Sequence, residues 1–382
     1  MNRSGKYITQ LRGYKSFLPT PLPPQPPLKI DTSMSQKIER ATLLLARLDG
    51  LAYLLPNTDL FISMYVKKEA LLSTQIEGTQ ASLADIFEYE SGATNIENIN
   101  DIKEVINYVK ALDYGIERLK TLPMSTRLIK ELHKILLKNT IGSHKTPGEF
   151  KKTQNWIGPA HSTLLTAAFV PPSPEDTIQA MSDLEKYLHQ QSPYPKIIDC
   201  ALLHYQFETI HPFLDGNGRV GRLLITLYFY WTGVIEKPLL YPSYYFKQNR
   251  QEYYDRLTMV RNTGNYEQWI DFFLNAIVAA SESAIENTKK ILALQNRDQL
   301  LLYKEKISSP IAVMLLNHLF YTPIITIAAI EKEFDISYPT AAHLIQQFVK
   351  IGILKEVTGK KRAKKYIYTK YVNILSEGAS HL

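Results

Sequence analysis

Hydrophobic positions recur at helical spacing along most of the chain. From Ser35 to Leu55 they fall at Ile38, Leu43, Leu44, Leu48 and Leu51, and Pro56-Asn57-Thr58 then supplies a stop and a fresh N-cap. The same period, or a run of strong helix formers, predicts helices over 59–89, 99–120, 125–138, 175–190, 195–210, 217–232, 247–260 and 266–295. Between 143 and 173 the pattern breaks into glycine, proline, threonine and β-branched residues, which predicts a β-hairpin and loop. Residues 19–28 hold six prolines, so an extended arm lying over the domain is expected there. The fold class that follows is mainly α.

The charged segment Lys304-Glu-Lys306 marks the join to a small C-terminal unit. Helices over Ile311–Phe320, Thr326–Phe334 and Pro339–Val349, a turn at Asp335-Ile-Ser337, and short strands at Leu354–Val357 and Tyr366–Thr369 give the order of a winged helix-turn-helix domain. Three regions are expected, over 1–100, 101–300 and 301–382.

Composition narrows the picture. With 382 residues, 45% hydrophobic and 21% charged, the chain has material for two or three ordinary cores. Its apolar stretches fall short of the roughly 18 residues that span a bilayer, and its first residues lack the apolar region of a secretory signal, so a cytoplasmic protein with no membrane partner is expected. The single cysteine, Cys200, sits in an apolar periodic run and suits packing. The net charge of +7 is spread thinly, except that seven basic residues between Lys350 and Lys365 face one acid, Glu356. In the winged-helix reading Tyr338, Thr340 and His343 face a groove, and Lys360, Lys361, Arg362, Lys364 and Lys365 lie on the wing. DNA is one partner for such a surface; dimerisation of this chain or docking of another protein is the other.

The candidate chemistry lies in His211-Pro-Phe-Leu-Asp-Gly-Asn-Gly-Arg-Val-Gly-Arg222, between two predicted helices. Pro212 disfavours helical geometry at His211 and ends the first helix there. Gly216-Asn217-Gly218 permits positive φ and close approach of a ligand, and the N–H groups opening the second helix form an anion nest suited to phosphate. Asp215 supplies a hard oxygen for Mg²⁺. Arg219 and Arg222, three apart on the first turn, offer guanidinium forks to phosphate oxygens. A histidine beside such a nest suits general-base work, because its pKa lies near neutrality.

These residues match, at eight defined positions, the pattern His-x-Phe-x-(Asp/Glu)-Gly-Asn-Gly-Arg-x-x-Arg, and the chain thereby resembles the Fic family. The similarity extends over most of residues 1 to about 295. It implies a Fic-type helical core at 101–300, a Fic-associated N-terminal region at 1–100 and a β-hairpin flap. The activity implied is transfer of AMP from Mg²⁺-bound ATP to a Ser, Thr or Tyr hydroxyl, on a separate protein or on this chain itself, with pyrophosphate leaving. On that resemblance His211 is the base, Asp215 holds the metal, Asn217 with the backbone of Gly216 and Gly218 binds the α-phosphate, and Arg219 and Arg222 take the outer phosphates. Gly218 speaks for AMP transfer, since the related toxin branch that phosphorylates its target has Lys at this place.

The resemblance also lends meaning to Ser73-Thr-Gln-Ile-Glu77-Gly78, in the helical run from Lys67 to Ala81. It matches the family's inhibitory motif, (Ser/Thr)-x-x-x-Glu-(Gly/Asn), whose glutamate pairs with the second motif arginine, here Arg222. A fully desolvated pair of that kind costs on the order of 3–5 kcal/mol to break. Two alternatives remain beside autoinhibited AMP transfer: removal of AMP with the help of Glu77, and a DNA-binding regulator. Asn155, Trp156, Ile157 and Gly158 fall where the family's flap lies, although a hairpin that merely packs Trp156 would read the same way. Tyr254 and Asn262 are the candidates for adenine, with Asn249 and Tyr245 as weaker ones.

Overall fold

The computed structural model describes residues 2–53, 58–90, 98–357 and 364–377. It opens with an antiparallel hairpin, β1 (Gly5–Thr9) and β2 (Lys15–Pro19), with Gly5 opposite Pro19. Strands this short carry too little periodicity to stand out in the sequence. The proline arm then runs over the surface, where the Arg3 guanidinium donates to the Pro26 and Pro27 carbonyls and to the Gly264 carbonyl.

Helices follow in the expected order: α1 (Thr32–Ala52), α2 (Thr58–Ile76), α3 (Leu83–Glu90), α4 (Ile99–Leu119), α5 (Thr126–Leu136), α6 (Pro174–His189), α7 (Lys196–Ile210), α8 (Asn217–Trp231), α9 (Ser243–Gln248), α10 (Arg250–Thr263) and α11 (Tyr266–Lys304). At the centre α7 and α8 pack on each other across a short loop, and both are buried on nearly every side, as helices apolar all round must be. Around them α2 packs on α4 and α9, α4 on α5 and α8, and α1 on α11.

Three expectations need correction. The run 59–89 is two helices, because Gly78 takes φ +107 and Asp101 draws the Gln80 N–H away to its own carboxylate at 2.7 Å. Glu77 therefore stands just past the end of α2 instead of inside a helix. The run 247–260 is likewise broken, at Asn249, whose Nδ2 turns back to the Tyr245 carbonyl at 3.0 Å. Third, the hairpin expected in 143–173 reduces to one antiparallel bridge, Ile157 with Phe169. Pro171 and Pro172 cannot donate to a ladder. Their carbonyls are instead satisfied by Gln154 Nε2, which donates to both.

The C-terminal unit comprises α12 (Pro310–Tyr321), β3 (Ile324–Thr326), α13 (Ile327–Phe334), α14 (Tyr338–Lys350), β4 (Lys355–Glu356), β5 (Lys365–Ile367) and α15 (Thr369–Ser376). Its antiparallel sheet runs β3-β5-β4, one strand more than the sequence pattern predicts. The unit rests on α2, α3 and α11, where Tyr368 donates to the fully buried Asp298 at 2.6 Å. Among the described residues no helix is long and apolar enough to cross a membrane.

Candidate active site

His211 caps α7 in the left-handed region, φ 48 and ψ 59, while its N–H still donates to the Phe207 carbonyl at 2.9 Å. Holding a side-chain-bearing residue there costs on the order of 1–2 kcal/mol, so the surroundings must fasten the loop. They do so at several points. Asn217 clasps Phe213, donating Nδ2 to its carbonyl and accepting its N–H on Oδ1, each at 2.8 Å. Asn155 Nδ2 donates to the His211 carbonyl at 3.0 Å and to the Phe213 carbonyl at 2.8 Å. From α5, His133 stacks on Phe213 and accepts the Gly148 N–H on Nδ1, which leaves Nε2 as the protonated nitrogen that donates to the Asp215 carbonyl at 3.0 Å. Burial pushes His133 down to about 4, so it stays neutral in that role.

His211 lines a cavity of about 570 Å³ with Glu77, Glu208, Gly218, Arg222, Tyr254 and Arg261, and Trp156, Ile157 and Gly158 line it as well. A larger hollow, about 790 Å³, contains none of the motif residues. Burial lowers the His211 pKa to about 3; the Lys151 and Arg261 cations act the same way, and the Glu208 backbone pulls against them. The ring is thus neutral at pH 7, with a lone pair to accept a proton, but burial in this resting arrangement makes it a weaker base than the near-neutral imidazole expected from the sequence.

Arg222 is 1% exposed and is held through Nε and Nη2. Its Nε donates to Ser73 Oγ at 2.8 Å, and its Nη2 donates to the Ser73 carbonyl at 2.9 Å and to Glu77 Oε1 at 2.6 Å. Burial by itself would lower its pKa, but the Glu77 carboxylate leads the neighbours that hold it above the ordinary value. Glu77 is 37% exposed, so breaking this pair costs less than the fully buried case, on the order of 1–3 kcal/mol. A Cβ on Gly218 would stand 2.3 Å from Glu77 Oε1 and 2.9 Å from Arg222 Nη1, so a side chain there would displace the ends of this pair. Nearby, Glu208 is buried with Oε1 unpartnered, and burial pushes it up to about 7 despite Arg222.

The other predicted residues distribute unevenly. Asp215 accepts the Gly216 N–H on Oδ1 at 2.6 Å and pairs with Arg219, which also pairs with Glu104 at 3.0 Å. Gly216 takes φ +76 and caps α8, as the nest reading expects. Arg219 and Arg222 diverge, and Asp215, Asn217 and Arg219 line no part of the cavity that holds His211. The Asn217 amide is spent on Phe213, which leaves only its backbone toward a phosphate.

At the far end of the cavity Tyr254 is present as expected, with Arg250 over its ring at 5.5 Å. Asn262 is exposed and turned toward Tyr7, Asn249 is committed to Tyr245, and Tyr245 packs on Phe272. The residue that reaches the cavity is Arg261, buried and lying over the Phe169 ring at 3.9 Å. Sequence reasoning missed it by one position; the heptad-like spacing from Tyr254 to Arg261, two helical turns on one face of α10, was the available signal.

Asn155 belongs to the loop clamp, while Trp156 is 43% exposed with Nε1 donating to the Ser162 carbonyl, so it is not packed into a core. On the C-terminal unit Lys360, Lys361 and Arg362 lie outside the described residues. Lys364 pairs with Glu356 at 2.9 Å and Lys365 with Glu88 on α3 at 3.1 Å. Cys200 is buried, as its apolar run predicts.

Comparison with known proteins assigns this architecture. Residues 35–117 match the Fic/DOC family N-terminal region, and residues 123–229 match the Fic/DOC family itself. The chain belongs to the Fic/DOC family. Among relatives of this Fic/DOC protein, the protein adenylyltransferase Fic of Drosophila grimshawi is 30% identical over 220 residues, covering 54% of this chain and 41% of that protein. That of Drosophila persimilis is 31% identical over 221 residues, covering 54% and 39%. The chain thus spans about two fifths of the length of these relatives. In fold it is similar to the crystal structure of a Fic family protein from Desulfovibrio desulfuricans, with a TM-score of 0.60 and 18% identity over 90% of this chain and 98% of that one. A Fic domain containing signaling protein from Bacteroides thetaiotaomicron gives 0.51 and 20%, covering 66% and 97%.

Proposed function

We propose that this Fic/DOC protein transfers AMP from ATP to a Ser, Thr or Tyr hydroxyl of a protein, and that it rests inhibited with Glu77 on Arg222. The observation that carries the reading is the shared cavity: a neutral His211, the Arg222 fork and the strip 156–158 converge there, and Glu77 occupies the fork. In the reaction the target hydroxyl loses its proton to His211 as its oxygen bonds to the α-phosphorus. The bond from that phosphorus to the bridging oxygen breaks, and pyrophosphate leaves. The helix start at Gly216 to Gly218 cradles phosphate oxygens, and Arg222, once free of Glu77, takes the γ-phosphate. A Mg²⁺ ion bound with ATP neutralises phosphate charge. Asp215 fits as its ligand, since a nucleotide-bound Mg²⁺ needs only one or two carboxylates and Asp215 is 39% exposed beside the nest.

Incubation with labelled ATP and Mg²⁺ tests the reading. Glu77→Gly is expected to raise protein labelling at least about tenfold over wild type, a change of roughly 1.4 kcal/mol in access to the productive pose, and His211→Ala to abolish it. Equal labelling of Glu77→Gly and wild type overturns autoinhibition; no labelling of any protein by any of the three overturns AMP transfer. Removal of AMP is the second reading, favoured by the exposure of the Glu77 carboxylate at the cavity, where it can hold a water. Loss of label from a premodified target on adding wild type, but not Glu77→Gly, would mark that activity.

The C-terminal unit is proposed to be a winged helix that contacts DNA through the start of α14, where Tyr338, Thr340 and His343 are exposed.

A further inference from the structure

Lys151 is an unexpected charge to find in the core. It is 2% exposed, burial pushes it down to about 7, and no carboxylate among the described residues offsets that cost. Its Nζ instead donates to three oxygens: Asn155 Oδ1 at 2.8 Å, the His211 carbonyl at 3.1 Å and the Ile210 carbonyl at 3.4 Å. Its own N–H donates to the Pro212 carbonyl at 2.8 Å. The Ile210 and His211 carbonyls are among those a helix leaves unsatisfied at its C-terminal end, and a cation there is favoured by the helix dipole. Asn155 shares the His211 carbonyl with it, so the turn is held from two directions. Asn155 leads directly into the strip 156–158, so the histidine and the strip that lines its cavity are held by the same pair of side chains.

We infer that Lys151 is a positioning residue for the general base, holding His211 in the left-handed conformation that directs its ring into the cavity. The inference rests on the AMP-transfer reading for its catalytic consequence. The charged and titratable groups lining the cavity with His211 are Glu77, Glu208, Arg222, Arg250, Tyr254 and Arg261. Lys151 approaches from behind the loop, and its cation, like that of Arg261, disfavours a proton on His211. Removing it should therefore alter both the aim and the proton affinity of the ring.

The test uses the full chain with Glu77→Gly as parent. Lys151→Met keeps the apolar stem and removes the cation; it is expected to lower kcat about 10- to 100-fold while KM for ATP changes less than about twofold. It should also raise the His211 imidazole pKa, read by NMR on ring-labelled histidine with His211→Gln assigning the signal, by about one unit. Lys151→Arg should restore both, and Lys151→Gln replaces the Met variant if that one does not fold. An unchanged kcat, an unchanged His211 titration, or a loss that Arg does not restore overturns the inference. If the parent transfers no AMP, the proposed activity fails while the NMR titration still decides the role of Lys151.

Discussion

Arg219 and Arg222 sit three residues apart on the first turns of α8, are both buried and are both ion-paired, yet the two sides of the helix they face differ in kind. Arg219 pairs with Asp215 from its own loop and Glu104 from α4. Arg222 pairs with Glu77, 145 residues away and just past the end of α2, where Gly78 turns the chain. On the first side Glu104 is held within α4 with its side chain 16% exposed, and Asp215, on the loop, is tied down by the Gly216 N–H. On the second the carboxylate is partly solvated and stands on a turn, so water can compensate its release. Identical chemistry thus serves as a brace on one side and as a removable stop on the other, and the difference comes from what carries the partner.

The largest effect that could break this contrast is on stability. Arg219→Met should cost about 3–4 kcal/mol in urea unfolding, because it strands Glu104, whose pKa burial already raises and Arg219 opposes. Glu77→Gln should cost less, about 1–2 kcal/mol, since the amide oxygen can still accept from Arg222. Similar losses for the two variants would erase the distinction between brace and stop.

A smaller effect separates neighbours on α10. Arg261→Ala should raise KM for ATP in the Glu77→Gly background by about tenfold, roughly 1.4 kcal/mol, while Asn262→Ala should leave it unchanged. The reverse result would favour Asn262 as the nucleotide contact over the cavity-lining Arg261. Smallest is the contribution of the C-terminal basic residues, since Lys364 and Lys365 already face Glu356 and Glu88. Binding to random duplex, followed by fluorescence anisotropy, should fall with a log–log salt slope of about −3, equal to roughly three phosphate contacts. A slope near zero would remove DNA as the partner and leave dimerisation or protein docking.

How much was legible in the sequence varies with the range of the interaction. The helices of the core, the end of α7 at Pro212 and the glycine-led start of α8 follow from local rules, because period, proline geometry and positive φ act over a few residues. The break at Gly78 was equally local but was masked by good helix formers on both sides. The β1–β2 hairpin and the strand β3 were not legible, since three to five residues cannot establish a period. For the site, the motif supplied His211, Asp215 and both arginines with their spacing. It did not show that the Asn217 amide is consumed by Phe213, or that Arg219 and Arg222 point apart.

Sequence alone specified which chemical groups stand at the junction of α7 and α8 and which backbone shapes they can take, because those are properties of neighbours along the chain. Tertiary structure decided which groups meet. Adjacent residues on a helix point about 100° apart, so whether Arg261 or Asn262 enters the cavity depends on how α10 is rolled against its neighbours. The neutrality of His211 arises from burial and from the Lys151 and Arg261 cations, and the raised pKa of Glu208 from burial and the Glu77 carboxylate against the opposing pull of Arg222 and Arg261, all groups that reach them from elsewhere in the chain. The pairing of Glu77 with Arg222 likewise exists only because α2 packs beside α8, and no local spacing encodes that approach.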